Sequence, residues 1–377
     1  MNSNRKPSIL FVSDIQHFIK MKDFWDQEMQ RQVDDPLLFS SMIIEQWKCS
    51  LRIGEHPFLL IIKKEGRIIG FAPLIFESHF GFRRVRNFNE YLCAEFFSDP
   101  EICMELLINY LFRSLNCESI DITFRDELNY QGVMEQVCTE LNRYFSALPG
   151  EGNAIIPVKN NVDLFRKSLK RKDRKELERI KRKLSQFGTW QVSCFDWQDA
   201  LISKILKIER CSWKAELEGK KAISKDLGLN YILNGIDKNM ETKSFFGAKA
   251  CFLMLDDLPI AYVIELIRNR IIYFAKTSYD QKFRRLWPGI ILMNEIIEDV
   301  TLKKKAERID FISNLPFIQI WNPVVKKRVN FKILQNVHRS KVRDLVFQNR
   351  VSLKFTQVVE RYRMKKVYSK EEKLLRP

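Results

Sequence analysis

The chain has 377 residues, enough for one large domain or two medium ones, and 45% of them are hydrophobic, which excludes a disordered polymer. Its 13 glycines and 12 prolines are too few for a collagen-like or linker-rich architecture. The formal net charge of +17 points to a polyanion as partner (nucleic acid, an anionic membrane surface, a phosphate-bearing cofactor) or to a solvated basic surface.

In chain order, the opening residues place Ser13, Asp14, Gln16 and His17 after a short apolar run, so no secretory leader is expected there. Phe58–Lys63 is an apolar run ending at the turn signal Glu65-Gly66, and Arg67–Phe76 resumes as a second strand. Arg83–Phe88 reads as a third. Glu101–Leu115 has helical spacing through Ile102, Leu106 and Tyr110, and Ser119–Phe124 reads as another strand. Gly, Pro and Asn cluster over Gly150–Asn161, which predicts a junction. After it, Asp163–Phe187 predicts one helix with Phe165, Leu169, Leu177, Ile180, Leu184 and Phe187 on one stripe, a cap at Asp163 and an end at Gly188. Its other faces are basic and include Lys172 and Arg174.

The second half repeats the order of the first. Cys251–Leu255, the turn Asp256-Asp257 and Pro259–Ile267 predict a strand pair, and Asn269 turns the chain into Ile271–Ser278. A helix follows from about Gly289 to Lys303, then a strand at Arg308–Ile312. Phe58–Ile62 with Ile68–Phe71 parallels Phe252–Leu255 with Ile260–Val263, and Ile120-Asp121 parallels Ile309-Asp310. The shared order predicts an internal duplication. Basic residues are dense again over Arg339–Lys373.

No run of 18 apolar residues occurs, so no spanning helix is predicted. Eight cysteines without a Cys-x-x-Cys pair predict buried thiols in a reducing compartment, and the protein is expected to be cytoplasmic. Four scattered histidines give no zinc spacing, and there is no Gly-x-Ser-x-Gly elbow, Walker loop or Gly-x-Gly-x-x-Gly, so no metal is expected.

The stretch Ile271–Glu295 runs strand, loop, helix. A helix start offers unpaired N–H groups and the positive end of the dipole, which suits a phosphate. Pro288 fits the first turn, Gly289 permits close approach of a ligand, and Arg284 and Arg285 add fixed positive charge just before it. The alternative is an ordinary strand-to-helix turn with solvated arginines.

The ordered pieces Phe165–Leu184 (FRKSLKRKDRKELERIKRKL), Glu209–Lys214 (ERCSWK), Leu258–Ala261 (LPIA), Ser278–Leu292 (SYDQKFRRLWPGIIL) and Arg308–Phe311 (RIDF) resemble the CelD-like or FemAB-like acetyltransferases of the GNAT superfamily. The resemblance implies a mixed-sheet α/β (α+β) fold of two tandem GNAT-like domains: a degenerate one at 1–155, an acyltransferase domain at 156–335, and a basic tail at 336–377. It implies acetyl-CoA or another acyl-CoA as donor, with pyrophosphate against Arg284, Arg285, Pro288 and Gly289 and the pantetheine arm along Ile271–Ser278, where Lys276 and Ser278 lie. The acceptor it implies is a small amine or amino sugar, for example a surface-polysaccharide precursor.

An amine must lose a proton and the leaving thiolate must gain one. Asp280, at the strand end, is the candidate base or a loop cap. Tyr279 is the candidate acid or a packed aromatic, and Glu265 is a rival base. Trp213 and Lys214, with Lys172 and Arg174, are acceptor candidates, or a core Trp, a snorkelling Lys and a solvated helix face. The family pattern has a small residue at Trp287, a Gly near Asn314, and Tyr-Lys near Phe317-Ile318. A second reading keeps the core inert and assigns the basic segments to an anionic membrane or nucleic acid. No specific nucleic-acid contact is expected, because aromatics do not alternate with the basic run as stacking platforms would.

Overall fold

The computed structural model describes residues 6–49, 55–79, 82–88, 93–125, 130–159, 161–212, 227–242 and 244–335. Trp213, Lys214 and the basic tail lie outside the described residues.

The first half runs β1 (Ser8–Val12), α1 (Ile15–Gln32), α2 (Ser40–Cys49), β2 (Glu55–Lys64), β3 (Arg67–His79), β4 (Phe82–Asn87), β5 (Glu95–Phe96), α3 (Pro100–Asn109), β6 (Ser119–Arg125), α4 (Tyr130–Glu140) and β7 (Tyr144–Pro157). The second runs α5 (Val162–Ser168), α6 (Arg171–Phe187), β8 (Trp190–Asp196), α7 (Ala200–Arg210), α8 (Leu227–Glu241), β9 (Gly247–Leu255), β10 (Leu258–Arg268), β11 (Ile271–Tyr279), α9 (Pro288–Lys303), β12 (Arg308–Asp310) and β13 (Val324–Leu334). From β1 and β8 onward the two series match element by element, apart from β5 and from α4, whose place in the second half is taken by the 3₁₀ turn Pro316–Trp321. The hairpins close where short turns predict them, with Glu65, Gly66, Asp256 and Asp257 all at positive φ.

All strands join one mixed sheet in the order β1-β2-β3-β4-β6-β13-β7-β12-β11-β10-β9-β8, with β5 on β3. Neighbours are antiparallel except at the same point in each half. There β4 runs parallel to β6 (Val85 opposite Ile120) and β11 parallel to β12 (Ile272 opposite Ile309). The last strands are exchanged: β13, from the second half, pairs with β6 of the first, and β7, from the first, pairs with β12 of the second. The two then pair with each other and join the halves. The Gly150–Asn161 stretch is thus strand as far as Pro157.

Three apolar cores result. Leu107 of α3, Leu111 of the turn that continues it and Met134 of α4 cover one face of the first half. Leu177, Ile180 and Leu184 of α6, with Ile291, Leu292 and Ile296 of α9, cover the same side of the second. On the opposite side α1, α2, α7 and α8 share a single core with Trp25, Phe39, Ile236, Phe252 and Tyr262, so it spans both halves. Each core residue of these helices removes its side chain from water, and the exchange commits both halves to one burial event.

Two expectations change. The predicted helix Asp163–Phe187 is two helices: Asn161, not Asp163, caps the first, accepting from the N–H groups of Asp163 (2.6 Å) and Leu164 (3.1 Å). Leu169 is extended between them, which turns its side chain inward beside Phe165. The cysteines are not all thiols: Cys194 and Cys251 lie directly opposite on β8 and β9 and form a disulfide, while Cys93, Cys103, Cys117 and Cys138 are buried free thiols.

Candidate active site

Beyond the short parallel pairing that ends at Tyr273 opposite Asp310, β11 and β12 part. A β-bulge at Ala275, between the pairs Glu265–Phe274 and Ile264–Lys276, bends β11 at that place. The parted strands open a cavity of about 630 Å³, lined by Phe274–Tyr279 of β11, Arg284, Trp287, Gly289, Ile290 and Met293 of the loop and α9, Phe311–Ser313, Leu315, Phe317 and Ile318 after β12, and Gly228, Tyr231 and Ile232 of α8. Among the described residues the β11 edge toward β12 has no strand partner from Phe274 onward, so it can pair with an extended ligand.

Strand register shows that the cavity passes through the sheet. Lys276 and Ser278 stand opposite Ile264 and Tyr262, which belong to the α7/α8 core. Thr277 and Tyr279 stand opposite Val263 and Ala261, which face α9. One mouth is therefore at the start of α9 and the other beneath α8.

At the α9 mouth Trp287 is in the left-handed conformation (φ 47°) and supplies no side-chain cap, and Pro288 follows at the first helical position. The first-turn N–H groups of Gly289 and Ile290 thus point outward without a cap. A Cβ at Gly289 would meet Tyr279 Cδ1 at 3.6 Å and Thr277 Oγ1 at 3.9 Å, which is ordinary contact. The protein's own packing does not require glycine there, whereas a ligand lying on the backbone would. Within the cavity the Ser278 hydroxyl is buried and has no hydrogen-bond partner among the described residues. These three features fit a phosphate-bearing, amide-containing arm.

The remaining candidates are distributed differently. Lys276, Ser278, Tyr279, Arg284 and Gly289 line the cavity; Arg285 and Pro288 do not. The Asp280 carboxylate accepts from Lys282 N (2.9 Å) and caps the 3₁₀ turn Gln281–Leu286, away from the cavity lining. Glu265 is buried under α9, where burial pushes its carboxyl up to about 7. Lys172 and Arg174 line a separate open basin with Lys175, Arg179 and Arg182. Asn314 accepts from Gln319 Nε2 (2.7 Å), while Phe317 and Ile318 stand in the cavity wall. Among the described residues no group of three or more His, Cys, Asp or Glu could hold a metal ion.

Sequence reading missed Ile312 and Ser313. Ile312 has φ 61°, a conformation that costs a β-branched residue about 1–2 kcal/mol. Ser313 N donates to Phe311 O (2.6 Å), closing a γ-turn of the rarer positive-φ kind. Ile312 N also donates to Asp310 Oδ1 (2.7 Å), Arg328 Nη2 to Ile312 O (3.1 Å), and Ala154 N to Ser313 O (3.0 Å). Both exchanged strands therefore hold this turn.

In the first half the matching opening is filled by the chain itself. Glu95 and Phe96 pair with Phe71 and Gly70 of β3, and Ala94 bridges Phe124 of β6, its N–H donating to Thr123 O (3.1 Å). A Cβ at Gly70 would lie 2.5 Å from Phe96 Cδ1, so glycine is what admits the plug. Phe96, Phe124 and Tyr130 pack in the gap at 5.2–5.8 Å.

A mixed sheet whose parallel strands part beside an uncapped helix start defines an acyltransferase fold of the GNAT type. Residues 171–314 match the Acetyltransferase (GNAT) domain family, and the chain folds as two GNAT-like halves. Its fold is similar to that of FemX (14% identity, TM-score 0.54, covering 82% of this chain and 95% of that one). It is also similar to a conserved protein of unknown function from Bacteroides thetaiotaomicron (10%, TM-score 0.54, covering 87% and 100%). A third likeness is to the C-terminal domain of a protein described as a lysylphosphatidylglycerol synthetase from Agrobacterium fabrum (10%, TM-score 0.51, covering 87% and 95%). At these identities the likeness is one of fold. No curated protein sequence matches the chain. Among the described residues no helix is long and apolar enough to cross a membrane.

Proposed function

We propose that the second half transfers an acyl group from a coenzyme A thioester to an amine. The observation that carries this reading is the cavity between β11 and β12, which ends at the uncapped first turn of α9 and passes through the sheet to α8. A coenzyme A thioester would supply the activated acyl group. Gly289 and Ile290 N–H, with the Arg284 guanidinium, would bind its pyrophosphate. The unpaired edge of β11 would accept the amides of the pantetheine arm, and the Ser278 hydroxyl would gain the partner it lacks. Tyr279, beside Gly289, would flank the pyrophosphate, so the proton that the thiolate sulfur needs would come from a group at the inner end of the arm.

Under this reading the two mouths divide the substrates: donor on the α9 side, acceptor on the α8 side, near Tyr231 and Lys276. The apolar Phe317 and Ile318, where related sequences carry Tyr-Lys, favour an acceptor bound by packing at that wall. The first half serves as scaffold. The test is thiol release from acetyl-CoA and longer acyl-CoAs over a panel of amines, amino sugars included. Release that depends on both substrates is expected, and absence of coenzyme A binding by the intact chain overturns the reading.

A further inference from the structure

The strained turn at Ile312 has a consequence for the donor. Glycine or asparagine adopts a positive φ with little cost, yet a β-branched residue stands there, 8% exposed, with its side chain in the cavity wall. Four hydrogen bonds, from Asp310, Arg328, Ala154 and the turn itself, hold it in place. Asn153 Nδ2 in turn donates to Asp310 Oδ1 (3.3 Å). A conformation so over-determined is kept for what it positions.

What it positions follows from the topology. The pyrophosphate end of a donor lies at Gly289, beside Thr277 and Tyr279 at the outer end of β11. The arm then runs inward along the unpaired edge toward Phe274, where β11 meets β12. At that apex Phe274 and Phe311 close the floor in an edge-on pair, their centroids 5.1 Å apart, with Trp321 stacked behind Phe311 at 5.6 Å. Ile312 is the next residue, and it belongs to the α7/α8 core. It therefore stands where the acyl group emerges from the sheet.

We infer that Ile312 is the gauge of acyl-chain length, and that Asp310 and Arg328 are positioning residues that hold it in the path of the acyl group. This inference rests on the donor reading above. It makes the enzyme selective for short acyl groups, because a longer chain must pass the Ile312 side chain.

The test is calorimetric titration of the intact chain with free coenzyme A and its acetyl, butanoyl and hexanoyl thioesters. The parent should bind hexanoyl-CoA at least tenfold more weakly than acetyl-CoA. Ile312→Gly suits the positive φ and removes the side chain. It should restore binding of the longer thioesters, with a gain of about fourfold for each methylene that is accommodated. Ile312→Val keeps the β-branch and should shift the cutoff by no more than one methylene. Asp310→Ala and Arg328→Met touch the turn and not the cavity lining, and should loosen the same cutoff while free coenzyme A binds as before. Circular dichroism verifies that each variant is folded. If coenzyme A binds, but parent, Ile312→Gly and Asp310→Ala rank the three thioesters alike, the gauge is overturned and the donor site stands. If free coenzyme A does not bind the parent, both fall.

Discussion

Asp99 and Trp287 hold the same place in the two halves. Each is a left-handed residue, at φ 50° and 47°, set directly before the proline that opens the main helix of its half. The chain thus kept the backbone device at both ends of its duplication and changed the chemistry around it. Asp99 sets a carboxylate, paired with Lys64 at 2.9 Å, where a phosphate would approach α3.

From this follows a stoichiometry. The intact chain should bind one coenzyme A, because in the first half the gap is filled by Ala94–Phe96 and the Asp99–Lys64 pair stands at the start of α3. Calorimetry should give one site per chain, and ligand at a hundredfold excess over its dissociation constant should stabilise the fold by about 2.7 kcal/mol. A second site of similar affinity contradicts the assignment of the first half as scaffold.

Gly289→Glu should abolish coenzyme A binding in a folded protein. The space beside Gly289 admits a Cβ, and an acid in the first helical turn favours the dipole. The same carboxylate would occupy the pyrophosphate position. Arg284→Gln should act more mildly and in a salt-dependent manner. Unchanged affinity in a folded Gly289→Glu protein removes the phosphate site from α9.

Asp280→Asn separates capping from catalysis. Asparagine also accepts from the Lys282 N–H, so the turn should persist. Turnover should stay within severalfold of the parent, since the carboxylate is engaged outside the cavity lining. A loss of two orders of magnitude or more, with binding intact, would instead mark Asp280 as the base.

Glu265 gives a pH signature. Burial raises its carboxyl from 4.5 to about 7. The unfolded chain therefore releases this proton first, and stability falls as pH rises from about 4.5 to 7, by on the order of 3 kcal/mol. Glu265→Gln should remove that slope: equal to the parent near pH 4, more stable at pH 8. Denaturation midpoints at the two pH values measure it, and parallel curves for the two proteins would show that Glu265 titrates normally.

The hairpins and the strand-loop-helix around Gly289 were legible because their signals are local. Asp256-Asp257 and Glu65-Gly66 announce turns whatever the rest of the chain does, and the apolar run that opens β11 is followed, after a polar loop, by Pro288, which fits the first turn of a helix. The exchange was not legible, since pairs so distant in the chain as Ile122 with Phe331 and Ile156 with Ile309 leave no local mark. Gly150, Gly152 and Pro157 looked like a junction, yet they lie inside β7. The strand β13 carried a readable signal, Val329, Phe331 and Ile333 alternating with Arg328, Asn330 and Lys332, which the basic run Lys326–Arg328 obscured. Ile312 could not be found at all: no residue-type rule places isoleucine at positive φ, and only the bonds from Asp310, Arg328 and Ala154 explain it.

The exchanged strands also set a schedule for synthesis. When the first 157 residues have left the ribosome, β6 still lacks its neighbour, because β13 ends only at Leu334. Until then β6 presents an open edge and β7 has nothing to pair with. Contacts of such long sequence separation form slowly. The nascent first half must therefore wait, incomplete and prone to pairing with other chains, while almost the whole of the second is being made.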